Sequence, residues 1–128
     1  MTPEQAMVQQ FHEAFDILRQ PTPKVPDRAT CRLRVRLIRE EAKELKEAFK
    51  DKDIVEVADA LGDLLYVVYG AAVSCGLDME PIFQEIHRSN MTKVGGHKRA
   101  DGKWVKPATY SRPDLKPIIK KMSQKKGQ

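Results

Sequence analysis

The stretch from Arg39 to Tyr69 constrains the fold most, because two helical patterns meet in it across a short charged turn. The first pattern has Glu41 and Glu44 on the face that its apolar residues mark as inward. The second, far more apolar pattern has Asp59 and Asp63 on one of its faces. Carboxylates on a packing face are costly unless a positive group lies between them. A hard divalent cation is such a group, since it takes carboxylate oxygens as ligands, so the stretch predicts a helical hairpin that holds a metal.

Apolar spacing, capping residues and helix breakers divide the rest of the chain into predicted elements. Helices are predicted over residues 3–19, 28–50, 54–76 and 79–92, with a short last helix over 115–121. The prolines of residues 20–27 exclude a helix there. Residues 103–106 are predicted as one strand of a short hairpin, because Asp101-Gly102 before them is a strong turn signal. The end, SQKKGQ, is predicted to be disordered.

The third predicted helix is apolar nearly all round, which is typical of a helix buried on several sides. We therefore expect it in the centre of a bundle or at a subunit interface. The chain has 128 residues, for which one domain is the default. The prediction is an all-α fold, with a four-helix bundle domain over 1–114 and a basic, flexible tail with one short helix over 115–128.

Several features concern location. No apolar run reaches about 18 residues, so no membrane span is expected. No basic region followed by an apolar stretch opens the chain, so no signal peptide is expected. Cys31 and Cys75 lie in different predicted helices and have no metal-type spacing. Together these features favour a reducing, cytoplasmic location.

The formal net charge is +5, and much of the excess lies from Lys93 onward, where Asp101 and Asp114 are the only acids. A basic tail is typical of contact with nucleic acid, a membrane surface or a polyphosphate substrate, and simple solvation is the plain alternative. Binding of nucleic acid would leave the acids of the two helices unexplained. A polyphosphate substrate is therefore favoured, and nucleic acid and membrane are not expected as partners.

The acids also form an ordered motif, Glu40-Glu41-x-x-Glu44-Leu followed by Ala-Leu-Gly-Asp63-Leu-Leu-Tyr. This order resembles the all-α nucleoside triphosphate pyrophosphohydrolases, which include the MazG proteins, the dimeric dUTPases and the phosphoribosyl-ATP pyrophosphohydrolases. EIHRSNMTK and DGKWVKP, further along the chain, are similar to a MazG-like branch common in bacteria and phages. The resemblance extends from FHEAF in the first helix to Pro113.

The resemblance implies hydrolysis of the α–β phosphoanhydride of a nucleoside triphosphate, which gives a monophosphate and pyrophosphate. A purine-directed role on dGTP or dATP in a phage, a dUTPase and a phosphoribosyl-ATP pyrophosphohydrolase are all versions of this activity. The implied cofactor is Mg²⁺, for which Mn²⁺ can substitute. The family is usually dimeric or tetrameric, so a homodimer or homotetramer is expected.

The metal ligands implied by the resemblance are Glu41, Glu44, Asp59, Asp63 and Glu56. The family motif is ExxE, a spacer and then ExxD. If Asp63 is its last residue, Ala60 stands where the family has Glu, and Asp59 could take that place. Alternatively Glu56 to Asp59 is the literal ExxD, with Asp63 as a further ligand. Both registers stay open.

Glu41 or its neighbour Glu40 is the candidate general base, and Lys93 completes the catalytic set by holding phosphate. The other candidates for substrate binding lie at the end of the fourth helix, in the basic loop, or among the aromatic residues of the first and third helices. With Lys93 they are Asn90, Lys103, Lys106, His12, Tyr66 and Trp104. Trp104 is a candidate lid, over its own site or against a neighbouring subunit.

Two readings of other classes remain. The chain could be a helical nucleic-acid-binding protein that uses its basic tail. It could also be a purely structural bundle, whose acids pair with the basic residues near them. Those residues are Arg34, Arg36, Arg39 and Lys43.

Overall fold

A computed structural model describes residues 1–124, and the last four residues of the end predicted to be disordered, 125–128, lie outside the described part. The described part is mostly helical, so the prediction of an all-α chain is confirmed. The elements are α1 (Pro3–Ala14), α2 (Arg28–Asp51), α3 (Ile54–Cys75), α4 (Met79–Met91), β1 (His97–Lys98), β2 (Trp104–Val105) and α5 (Lys116–Gln124).

The predicted helical hairpin is present as α2 and α3, which form the most extensive helix contact in the described chain. Lys52 turns the chain with a left-handed backbone (φ 53°). The Asp53 side chain then caps α3 by accepting hydrogen bonds from the backbone N–H groups of Val55 and Glu56. Because so short a connection folds the helices back on each other, residues equally far from the turn lie at the same level.

Helix α1 packs on α3 and ends at Ala14, so the predicted extension of this helix to residue 19 is wrong. The backbone of Asp16 is left-handed (φ 54°) and breaks the helical path. After the break, the chain runs along α3, where the Leu18 carbonyl accepts a hydrogen bond from the Ser74 hydroxyl at 3.1 Å. Leu18, past the break, is 41% exposed, so its place in the apolar spacing of residues 7–18 did not mark a helix.

Within the described part of one chain, α1 and α2 both pack on α3, and the predicted four-helix bundle is not confirmed. The chain bends by 114° between α3 and α4, so α4 leaves the α2–α3 pair. The bend is fixed at Gly76, where any side chain would strike the Thr22 carbonyl of the loop before α2. No single helix among the described residues is long and apolar enough to cross a membrane; α3 and α4 reach that length and composition only as a bent pair.

After α4 the chain forms a two-stranded antiparallel hairpin, in which His97 pairs with Val105 and Lys98 with Trp104. Its second strand lies within the predicted 103–106. Helix α5 follows, and its Met122 is buried. Few apolar residues of the described chain are buried. They are Val8, Ala48, Val57, Ala60, Ala72, Val73, Ile82 and Met122.

Helix α3 was expected to be buried on several sides, and within one chain it is not. Ile54, Val55 and Leu65 are 77%, 72% and 60% exposed. Helices α1 and α2 cover only part of its surface, because α4 turns away from it. A large apolar face of α3 is therefore left without cover in a single chain.

Candidate active site

The hairpin brings the predicted metal-binding acids together around Glu41. The pKa of Glu41 is raised, first by partial burial and then by the negative charges of Asp63, Glu44, Glu40 and Asp59. These residues, called the acid group below, come from facing levels of α2 and α3. Four of the acids named from the sequence thus lie within electrostatic reach of Glu41.

Among residues 1–124, no basic side chain forms an ion pair with the acid group. The ion pairs among the described residues lie elsewhere, between Arg88 and Glu85, between Arg99 and Asp101, and at the N-terminal ammonium group. In this part of the chain, the basic residues of α2 form no such pair, although a purely structural bundle would need them as partners of the acids. They are Arg34, Arg36, Arg39 and Lys43. The mutual repulsion of the acid group is therefore unrelieved.

The donor chemistry of the acid group fits a hard divalent cation, because it offers several carboxylates and no competing positive charge. Among the described residues, no three acidic, histidine or cysteine side chains have their ligand atoms gathered around one point. The side chains of Glu44, Asp59 and Asp63 are exposed, which leaves them free to rotate towards a shared ion. Glu41, Glu44, Asp59 and Asp63 are thus the residues that would hold it.

The motif ExxD was aligned in two ways, with its last residue at Asp63 or at Asp59, and the structure gives these alignments different surroundings. Ala60 is 4% exposed, so its position belongs to the packed side of α3 and not to the acid group. The charge of Asp59 acts on Glu41, whereas Glu56, exposed in the first turn of α3, is not among the charges that raise the pKa of Glu41. This arrangement favours Asp59 over Glu56 as the third acid.

Aromatic residues lie next to the acid group. Tyr66 follows Asp63 by three residues and so shares its face of α3. Its ring meets Phe11 of α1 edge-on with centroids 5.7 Å apart, and Phe11 lies 4.3 Å from Phe15. All three rings are exposed in part, which leaves them accessible to a planar ligand.

Behind these rings lies a cluster of His12, Arg34 and Gly70, and sequence reasoning missed its last two members. His12 is 2% exposed, and its Nδ1 lies 3.1 Å from the Leu18 carbonyl oxygen. A side chain at Gly70 would strike the Arg34 guanidinium and would approach His12 Nε2 to 3.3 Å. A signal was present in the sequence, since Arg34 lies seven residues before Glu41 and Gly70 seven after Asp63, on the same helix faces.

Burial lowers the pKa of His12, and the charges of Arg34 and Arg19 lower it further. Its ring is therefore neutral at pH 7. Because a carbonyl oxygen only accepts, Nδ1 carries the proton and Nε2 keeps its lone pair.

The predicted phosphate- and sugar-binding residues form a separate group at the end of α4, called the basic group below. Its members are Asn90, Lys93, Lys103, Trp104 and Lys106. The indole N–H of Trp104 donates to the Lys93 carbonyl at 2.7 Å, which folds the hairpin back on the helix. The Nζ atoms of Lys106 and Lys93 lie 4.5 and 5.9 Å from the centroid of the Tyr110 ring. A hydrogen bond with Ser89 lowers the pKa of Tyr110, and these lysines and Arg112 lower it further.

The remaining members of the basic group are exposed. Asn90 lies in the last turn of α4, where its carbonyl accepts from the backbone N–H of Lys93 at 3.1 Å. Lys103 begins the second strand region, and its backbone N–H donates to Asp101. No extensive contact joins α4 or the hairpin to α2 or α3 in the described chain. One chain therefore holds the acids and aromatic rings in one place and the basic group in another.

A family model described as phosphoribosyl-ATP pyrophosphohydrolase matches residues 8–90, from α1 to the end of α4. The chain belongs to this family. The family lies within the all-α nucleoside triphosphate pyrophosphohydrolase superfamily, so the resemblance stated from the motif is confirmed. The description of the family names a pyrophosphohydrolase, which is a hydrolase.

A relative is found in Acanthamoeba polyphaga mimivirus, where uncharacterised protein L479 is 43% identical over 51 residues. The match covers 40% of this chain and 20% of the viral protein. The chain thus spans about a fifth of the length of that relative.

Proposed function

We propose that the chain is a Mg²⁺-dependent nucleoside triphosphate pyrophosphohydrolase. It cleaves the α–β phosphoanhydride and releases a nucleoside monophosphate and pyrophosphate. The acid group carries the proposal, because several carboxylates converge on Glu41 without a basic partner. A structural role gives no reason to keep such repulsion, whereas a cation and a polyphosphate together relieve it.

In this proposal Glu41, Glu44, Asp59 and Asp63 hold Mg²⁺, or Mn²⁺ in its place. When bound, the cation neutralises the charge that develops on the phosphates and lowers the pKa of a bound water. The protein residues do the rest. Glu40, beside the metal ligands and exposed, is free to accept the proton of the attacking water, and Glu41 is the alternative base if the cation does not saturate its carboxylate.

The exposed aromatic rings and the basic group supply the remaining contacts with the substrate. Tyr66, on the side of the acid group, holds the nucleoside, whereas the predicted contact by His12 is not proposed because that side chain is 2% exposed. Lys93, Lys103 and Lys106 hold the leaving pyrophosphate as point charges, Asn90 contacts the sugar, and Trp104 covers the site. Because the basic group lies apart from the acids in one chain, it reaches them from a second copy.

A dimer also accounts for the uncovered face of α3. Two α2–α3 hairpins that pack through Ile54, Val55 and Leu65 would form the predicted four-helix bundle between chains instead of within one. This arrangement buries side chains that are more than half exposed in the monomer. It is the expected homodimer, and a homotetramer is two such pairs.

The test is a panel of ribo- and deoxyribonucleoside triphosphates, with phosphoribosyl-ATP, incubated with Mg²⁺ or Mn²⁺ and analysed by ³¹P NMR. Pyrophosphate and a monophosphate are the expected products. Release of orthophosphate would place the cleavage at another bond and contradict the proposal. Selective hydrolysis of dUTP or of phosphoribosyl-ATP would assign the chain to those branches of the superfamily.

Glu41→Gln keeps the size of the side chain and removes its charge, and we expect product formation to fall by roughly 10²–10⁴-fold. Glu47→Gln is the matched control, because Glu47 is an exposed acid of α2 outside the acid group. Equal activity in the two variants would show that the acid group is not the site.

A further inference from the structure

Two lysine side chains meet at the ring of Tyr110, a residue to which the proposed reaction gives no role. The Nζ atom of Lys106 lies 4.5 Å from the ring centroid, and that of Lys93 lies 5.9 Å from it. The negative face of an aromatic ring attracts an ammonium group. Neither ammonium group forms an ion pair with an acid of residues 1–124. The ring thus brings together two positive charges that pair with no acid in the described chain.

Tyr110 itself is fixed to the end of α4. Its hydroxyl oxygen accepts a hydrogen bond at 3.5 Å from Ser89, a buried residue of that helix. The backbone N–H of Tyr110 donates to the Pro107 carbonyl at 3.1 Å, which closes a turn. The next residue is held as well, because the backbone N–H of Ser111 donates to the Thr92 hydroxyl at 2.8 Å. The ring therefore has a defined position beside the helix end.

The two lysines reach this ring from different segments. Lys93 follows α4, and its backbone N–H donates to the Asn90 carbonyl while its own carbonyl accepts from the indole of Trp104. Lys106 follows β2 directly. A lysine that binds an anion loses the freedom of a flexible four-carbon stem, so a stem already aligned by a ring binds at a lower entropic cost.

The charges around the ring indicate what the lysines bind. Like charges side by side repel each other, whereas an anion near both is attracted by both, so stability alone does not explain the arrangement. Arg112 adds a third positive charge, since it is among the groups that lower the pKa of Tyr110. This local surplus of positive charge suits a ligand with several negative charges, and pyrophosphate is such a ligand.

We propose that Tyr110 is a positioning residue, which aligns Lys93 and Lys106 so that both bind the leaving pyrophosphate. The inference rests on the proposed function, in which these lysines hold that product, and it adds the group that orders them. Tyr110 acts through the lysines and does not itself contact the phosphates. Loss of the ring should therefore matter less when one of the lysines is already absent.

The test measures pyrophosphate binding by calorimetry without divalent metal, so that the acid group takes no part. Tyr110→Leu removes the ring and should weaken binding roughly tenfold, because two flexible side chains must then be ordered. Tyr110→Phe keeps the ring and should bind as the wild type does, although its melting temperature should fall because the buried Ser89 hydroxyl loses a partner. Equal weakening in both variants, or unchanged binding by Tyr110→Leu, would overturn the inference.

A double-mutant cycle separates positioning from support of the fold. In the Lys106→Met background, Tyr110→Leu should weaken pyrophosphate binding by roughly threefold or less, because one of the two aligned lysines is gone. The same loss in both backgrounds would mean that Tyr110 contacts the anion or supports the fold, which contradicts the positioning role. Lys98→Met is the control for charge alone, since Lys98 is an exposed lysine of β1, and its binding should stay within about twofold of the wild type.

Hydrolysis assays separate this inference from the proposed reaction. With a nucleoside triphosphate and Mg²⁺, Tyr110→Leu should raise KM roughly tenfold and leave kcat near the wild-type value, because the lysines hold the phosphates before and during cleavage. If no triphosphate is hydrolysed but the pattern of pyrophosphate binding holds, the proposed function fails and the positioning role stands. If triphosphates are hydrolysed but all variants bind pyrophosphate equally, or the wild type binds none, the positioning role fails and the proposed function stands.

Discussion

Two regions of the molecule differ in how their charges are paired. One is the acid group on α2 and α3, and the other is the set of contacts that hold the C-terminal segment to α4. In the segment, Arg88 donates to both carboxylate oxygens of Glu85, at 2.7 and 2.8 Å, and Glu85 also accepts from the Asp114 backbone at 2.7 Å. In the acid group, the carboxylates around Glu41 have no such partners. Paired charges fix a loop in place, whereas unpaired like charges signal a site that a ligand completes.

The pKa values of the two glutamates show the same contrast. The Arg88 side chain, followed by the Asp114 backbone N–H, lowers the pKa of Glu85 to about 2. Burial and the neighbouring acids raise the pKa of Glu41. One carboxylate is stabilised as an anion by the protein, and the other is destabilised by it.

The largest effect should come from a substitution that separates activity from stability. Asp63→Asn should lower the rate of pyrophosphate release by roughly 10²–10⁴-fold, because it removes a ligand charge, with unfolding free energy changed by less than about 0.5 kcal/mol. Arg88→Met should do the reverse, with a lower melting temperature and a near wild-type rate. Enzyme assays and thermal melts of both variants test the contrast, which fails if Arg88→Met abolishes activity at unchanged stability.

The uncovered face of α3 should determine the oligomeric state. Leu65→Glu places a charge on this face and should convert a dimer into a monomer, because a buried unpaired carboxylate is costly. Val25→Glu is the matched control, since Val25 is 79% exposed but lies in the loop before α2. Light scattering after size exclusion measures both masses. A monomeric wild type, or an unchanged mass for Leu65→Glu, would contradict the proposed interface.

The lowered pKa of Glu85 predicts a pH dependence with a definite sign. A folded-state value of about 2, below the ordinary 4.5, means that ionised Glu85 stabilises the fold above pH 4.5 and that this contribution is lost as the pH falls towards 2. The melting temperature of Glu85→Gln should therefore be lower than that of the wild type at pH 7. The difference should shrink below pH 4.5, and a difference that persists unchanged to pH 3 would contradict the pairing.

A smaller effect is expected at Gly62, between the acids of α3. A side chain there would meet no atom within 4 Å in this chain. Gly62→Ala should therefore stabilise the protein by about 0.5–1 kcal/mol, through the higher helix propensity of alanine, as measured by urea unfolding. A loss of stability instead would mean that the backbone of another copy approaches α3 at this glycine.

Local signals in the sequence predicted the helices well. The bounds of α2, α3 and α4 were predicted to within a residue, because Asp53 and Asp78 act as caps and Gly76 ends α3 with a left-handed backbone. The end of α1 was missed because the apolar spacing runs on past the left-handed backbone of Asp16, to Leu18, which lies outside the helix.

Non-local geometry was harder to predict. The short turn between α2 and α3 places Glu41 opposite Asp63, so the acid group could be inferred from the sequence. The direction of α4 depends on the contact of Gly76 with Thr22, which no periodicity encodes. Arg34 was assigned only a pairing role, because its desolvation becomes visible only when α1, α2 and α3 are packed together.

The central claim is that the unpaired acids form a cation site, and titration with Mn²⁺ followed by electron paramagnetic resonance tests it most directly. The wild type should bind Mn²⁺ saturably, and Mg²⁺ should displace it. Asp63→Asn should weaken this binding, while Glu47→Gln should leave it unchanged. Equal Mn²⁺ binding in all three proteins, or none in the wild type, would contradict the account.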